Sequence, residues 1–194
     1  MMKRSRKIWQ GVGILLLIST VFIGVLQLAS YVLDNAEAQA LIQKYGYLGV
    51  LIIAIIGGLN FLVPIPAPTF TPIFLAGGLS LPWIIVWLVI GTTIAELLGF
   101  GFGKLGKLYV TDQYPKTYAR LESLRQNHIH WIPWFVLGYA SFVPFPNEAF
   151  LIPLGILGIR LRTFILPLIV GSAVYHTLVA LGVSNIFSLF LTSI

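Results

Sequence analysis

The sequence predicts an all-α integral membrane protein: an inverted-topology repeat of two proline-broken re-entrant hairpins, each followed by a transmembrane helix, with one more transmembrane helix in front. Three observations lead there. Of the 194 residues, 58% are hydrophobic and only 9% charged, with a mean hydropathy of +0.94, whereas a soluble domain carries about a quarter charged residues. A Val-Pro-x-Pro tip occurs twice, at Val63-Pro64-Ile65-Pro66 and Val143-Pro144-Phe145-Pro146. The basic residues sit almost entirely in segments that one simple topology places on the same side of a bilayer.

The elements follow in chain order. Lys3, Arg4, Arg6 and Lys7 precede an uncharged run over residues 8–33. That run is too long for the ~7–15-residue core of a signal peptide, so it reads as a retained transmembrane helix. Residues 34–44 are polar and read as an interfacial helix, which completes an N-terminal unit of residues 1–46. Residues 47–78 carry no charge, but their prolines each remove a backbone donor and clash one turn back, so no straight helix passes through. Two short arms around a broken tip, each marginal for a span of about 20 residues, predict a re-entrant hairpin over 47–80. Its irregular backbone would be sheltered by protein or line a cavity.

Residues 81–103 read as a transmembrane helix with Glu96 as its only charge. The polar stretch 104–130 reads as a surface amphipathic helix and loop. Residues 131–159 form the second broken hairpin, and 163–183 the last span, with Pro167 and His176 inside it. Residues 184–194 are too short to span again and read as a tail.

Shifted by 80 residues, the two halves register without a gap: Pro64 and Pro66 fall on Pro144 and Pro146, Phe70 on Phe150, Gly78 on Gly158, Gly91 on Gly171, and Glu96 on His176. The positive-inside rule then orients the chain. With the N-terminus cytoplasmic and both hairpins re-entrant, eleven of the twelve Lys and Arg residues lie inside, and only Lys44 lies outside. The hairpins then enter from opposite faces, a plan that places a transport site near the midplane between the repeats. This topology also accounts for the net charge of +6, and no nucleic-acid motif accompanies it. Without cysteine, disulfides and thiolate metal sites are excluded.

Intramembrane ionisable residues mark functional sites. Glu148, at the second tip beside Asn147, reads as a proton-coupling carboxylate or as an acid opening a helix whose N-cap is Asn147. Glu96 reads as a proton or headgroup partner, or as the structural partner of Lys104 or Arg160. His176 reads as a titrating group or a hydrogen-bonded packing residue. Asn60 is the polar residue of the first hairpin. Arg160 and Arg162 would suit a phosphate or would anchor topology. Pro64, Pro66, Pro144 and Pro146 are structural. No metal site is expected, since His128 and His130 lack carboxylate companions, and no cofactor motif or catalytic constellation is present.

These residues resemble the DedA family, or VTT-domain (SNARE-associated Golgi protein) superfamily, over residues 47–183. The likeness rests on the tip Val63-Pro64-Ile65-Pro66 followed by Leu75-Ala76-Gly77-Gly78; on Gly91, Glu96, Phe100, Gly103 and Lys104; and on Phe142, Pro144, Pro153 and Gly155. The chain departs from the family pattern at Ser141 and Asn147, where the family has arginines, and in lacking the first-hairpin acid. The family's final helix is also missing, and a second copy in a homo-oligomer, or another partner, would cover that face. The resemblance implies a lipid translocase moving phospholipid or polyprenyl phosphate between leaflets, with proton coupling, in a bacterial plasma membrane. Two other functions remain open: a proton-coupled exporter of small cations or drugs, and a non-transporting membrane-organising factor.

Overall fold

The structure is a computed structural model that describes residues 2–59 and 65–192, with the backbone alone at 2–12, 14, 15, 18, 117, 124 and 127. Among these residues the chain is helical and contains no strand. Three helices are long and apolar enough to cross a membrane: Ala36–Gly58, Leu81–Gln113 and Ile165–Thr192.

Helix α1 (Met2–Asp34) carries the first apolar run in one piece. Asn35 then adopts extended backbone, and its side-chain oxygen accepts the N–H of Ala38 at 2.9 Å, which caps α2 (Ala36–Gly58). The polar segment 34–44 is therefore not a separate interfacial helix. It supplies the opening turns of α2, because a single capped break at Asn35 satisfies the new helix start and nothing after it interrupts the helix. Beyond Gly58 the first tip re-forms as a 3-10 turn at Ala67–Phe70 and a short helix α3 (Thr71–Ala76). Asn60 and Pro64 lie outside the described residues.

Helix α4 (Leu81–Gln113) has 33 residues, about 50 Å at 1.5 Å per residue, against a hydrocarbon core of about 30 Å. Residues 104–113, expected to begin the surface segment, instead continue this helix. The glycines between Gly99 and Gly106 do not stop it, since no proline intervenes before Pro115. Pro115 opens the polar helix α5 (Pro115–His128), where Arg125 hydrogen-bonds Glu122 one turn away and holds its carboxyl below the usual carboxylate range. Helix α6 (Ile132–Phe142) leads to the second tip, and α7 (Glu148–Ile156) returns from it. Helix α8 (Ile165–Thr192) absorbs most of the expected 184–194 tail. Pro167 is its third residue, where no intrahelical N–H bond is required.

The helices pack α2 on α4, α4 on α7, and α6 on α8. Gly91 and Gly171 make two of these contacts close. A Cβ on Gly91 would lie 2.8 Å from the Leu51 carbonyl oxygen, and one on Gly171 3.0 Å from that of Leu137. The tightest contact joins α4 to α7, where a Cβ on Gly103 would stand 2.2 Å from the Ile152 carbonyl oxygen.

One buried cluster gathers Val50, Ala54, Phe74, Leu79, Ile84 and Leu88. A second gathers Val136, Ala140, Leu154, Ile159, Phe164 and Leu168. Both short return helices end alike. Gly78 and Gly158 have φ of +86° and +64°, a left-handed conformation that side chains disfavour. The following N–H reaches back five residues in each, Leu79 to Phe74 O and Ile159 to Leu154 O, both at 3.0 Å, a Schellman closure. A third cluster ties α1 to α3 and to the far end of α8 through Leu26, Ala29, Val32, Ala76 and Phe187.

Candidate functional site

A cavity of about 280 Å³ lies where the two proline-rich connections meet. Its walls are the end of α2 (Gly57, Gly58), Pro66 to Pro68 of the first connection, Thr92 and Glu96 of α4, Ala140 of α6, Val143 to Asn147 of the second connection, and Ser172, Tyr175 and His176 of α8. Helix α2 ends at Gly58 and α6 at Phe142, and residues that follow each, Pro66 to Pro68 and Val143 to Asn147, line the gap.

Glu96 is buried, with 4% of its surface exposed. The Asn147 side-chain amide donates to its Oε1, and its Oε2 has no hydrogen-bond partner. Two expectations are corrected here. Glu96 makes no ion pair with Lys104 or Arg160; the Lys104 ammonium lies over the Phe100 ring instead, 4.8 Å from its centroid. Asn147 precedes α7 but its side chain makes no capping bond: its backbone is already helical, at φ −64° and ψ −22°, rather than extended as a side-chain N-cap requires. Glu148 opens α7 and is 2% exposed. Its carboxyl lies close enough to that of Glu96 for the two to interact electrostatically. Its Cγ would stand 3.0 Å from a Cβ on Gly99, so the absent side chain at Gly99 makes room for it.

His176, also 4% exposed, places Nε2 2.9 Å from Thr92 Oγ1. The Thr92 hydroxyl has one proton, and it donates to the Leu88 carbonyl at 2.8 Å. In that arrangement the imidazole is the donor to Thr92, which fixes the proton of a neutral ring on Nε2 and leaves Nδ1 an acceptor. Nδ1 is buried without a partner. Ser172 Oγ lies 3.5 Å from Thr92 Oγ1.

Of the residues singled out from sequence, the cavity thus gathers Glu96, Asn147, His176, Pro66, Pro144 and Pro146, with Glu148 directly behind. Arg160 and Arg162 are exposed in the turn between α7 and α8, away from it. Ser141 is buried and donates to the Leu137 carbonyl at 2.7 Å. Sequence reasoning missed Thr92, Ser172 and Tyr175. The first two had a signal: they are 80 residues apart and sit four residues before Glu96 and His176, so the register that pairs the ionisable residues also pairs the hydroxyls. Among the described residues no cluster of three His, Asp or Glu side chains suited to a metal is present. Comparison with known protein families, with characterised proteins and with solved structures finds nothing that matches this chain.

Proposed function

We propose that the protein is a membrane lipid translocase of the DedA type, in which two inverted hairpin repeats meet at a polar cavity that admits a headgroup while the acyl chains stay in lipid. The observation that carries the reading is the cavity itself. Glu96, Asn147, Thr92, Ser172 and His176 converge between apolar stretches of the chain, and polar groups at membrane depth are costly unless they line a pathway. The shared 80-residue spacing of the buried pairs Phe74 and Leu154, Leu79 and Ile159, Ile84 and Phe164, and Leu88 and Leu168 supports the inverted repeat, as do the matching helix closures at Gly78 and Gly158. The charge distribution supports a cytoplasmic N-terminus and a bacterial plasma membrane.

The test is purified protein in liposomes carrying fluorescent phospholipid or polyprenyl phosphate, with leaflet exchange followed with and without a pH gradient. Fast exchange that Glu148→Gln slows at least ~10-fold, in protein that elutes as a folded species, is the expected result. Normal flux in that variant removes Glu148 from the mechanism, and a rate indifferent to the gradient removes proton coupling.

A second reading, a proton-coupled exporter of small cations, draws on one observation: Glu96 and Glu148 are neighbouring buried carboxyl groups, and among the described residues no lysine or arginine lines the cavity. Stabilisation by soluble cations, with no lipid exchange, would favour it, because a ligand that binds the folded state raises its apparent stability.

A further inference from the structure

Two side chains of the cavity wall each keep one buried polar atom without a hydrogen-bond partner among the described residues, Glu96 Oε2 and His176 Nδ1. Both side chains are more than nine-tenths buried and both line the same space. Two neighbouring donors are committed elsewhere. The Thr92 hydroxyl donates to Leu88 O, and the Asn147 amide serves the other oxygen of Glu96. Among the described residues the lining contains no lysine or arginine, and Arg160 and Arg162 are exposed outside it. A buried acceptor left unmade costs the full desolvation of that group, and a carboxylate in such a place calls for a partner that carries both hydrogen-bond donors and positive charge.

A phosphate supplies neither, because it is itself an anion made of acceptor oxygens. A quaternary ammonium supplies charge but has no N–H. A primary ammonium supplies charge together with three donors in a compact head, and an ethanolamine-sized group fits a space of about 280 Å³. We propose that this cavity is a binding site for a primary ammonium group, with Glu96 as its charge partner and His176 Nδ1 as a second acceptor. The inference rests on the translocase reading only for its source, a lipid headgroup amine. It sharpens that reading by selecting amine-headed lipid over polyprenyl phosphate and other anionic lipids. The same chemistry would take a soluble primary amine if the chain exports small cations.

The experiment compares three acyl-chain-labelled probes in separate liposomes: phosphatidylethanolamine, phosphatidylcholine and phosphatidylglycerol. Leaflet exchange is read by chemical quenching of the outer leaflet, for the wild type and for Glu96→Gln. In parallel, thermal unfolding of both proteins in detergent is followed with and without ethanolamine. The expected result is that phosphatidylethanolamine exchanges about tenfold or more faster than the other two, the selectivity a charge-assisted hydrogen bond provides, and that Glu96→Gln reduces the difference to less than about twofold. Equal rates for all three, or fastest exchange of phosphatidylglycerol, overturn the ammonium site and leave the translocase standing. No exchange, with ethanolamine raising the unfolding temperature of the wild type but not of Glu96→Gln, keeps the ammonium site and overturns the lipid as its source. No exchange and no stabilisation overturn both. The wild-type comparison needs no variant, so it decides the matter even where Glu96→Gln fails to fold.

Discussion

At the scale of single residues, the glycines of α4 separate structural space from functional space. A Cβ on Gly103 would stand 2.2 Å from a backbone carbonyl of α7, and nothing lies within 4 Å of one on Gly106. Gly103→Ala must push α7 away from α4 and is expected to destabilise by about 1–3 kcal/mol, the usual cost of overpacking. Gly106→Ala adds a better helix former in open space and is expected to be neutral or to stabilise by up to about 1 kcal/mol. Thermal unfolding of the two variants in the same detergent checks the pair. Gly99→Ala belongs to a different class, because its Cβ meets the flexible side chain of Glu148 at 3.0 Å. It is expected to cost about 1 kcal/mol at most, less than Gly103→Ala because a side chain rather than a backbone carbonyl must give, while slowing transport by displacing that carboxyl. Flux and unfolding measured on one preparation distinguish this from a general loss of structure.

At the scale of elements, each helix end has its own device, and these ends set where the cavity forms. Asn35 lets α1 stop and α2 start within one residue. Asn35→Ala removes the bond to the Ala38 N–H and is expected to cost about 1 kcal/mol, with Asn35→Asp retaining most of the stability. Gly158, at φ +64°, closes α7 and turns the chain toward α8. Gly158→Ala places a Cβ in a left-handed conformation at a cost of about 1–2 kcal/mol. Circular-dichroism melts of both variants read these effects directly. At the second tip Pro144 and Pro146 keep α6 from continuing past Phe142, beside the cavity that Glu96 and His176 both line. Charge begins at residue 104, but α4 continues to Gln113, because lysines are good helix formers and a helix ends where its backbone is interrupted rather than where its side chains become polar.

At the scale of the whole molecule, the membrane sets the frame. Side chains such as Leu98 and Phe102 on α4 are 48% and 57% exposed, which in water would be an aggregation hazard and in lipid is an ordinary surface. The absence of cysteine permits a direct test of topology with single reporters. In intact cells, Lys44→Cys is expected to react with a membrane-impermeant maleimide, and Lys116→Cys to react only after the cells are opened. The reverse pattern would invert the orientation, and labelling of both from outside would mean that a hairpin crosses the bilayer once.

The amino-acid sequence by itself determined that the chain is helical and apolar enough to span a membrane, where its backbone must break, and which ionisable residues stand out within the apolar runs. These properties are written in short windows: hydropathy sums over neighbouring residues, and proline breaks a helix from its own ring and missing donor. Only the tertiary structure decided which polar groups meet. Glu96 and Asn147, 51 residues apart, and Thr92 and His176, 84 apart, are joined across separate helices. Nothing local to Asn147 says which acceptor its amide N–H will find. The choice is made by the approach of the second tip to α4, which close contact at Gly99, Gly103 and Gly155 allows, and by the cost of leaving a buried carboxylate without a donor.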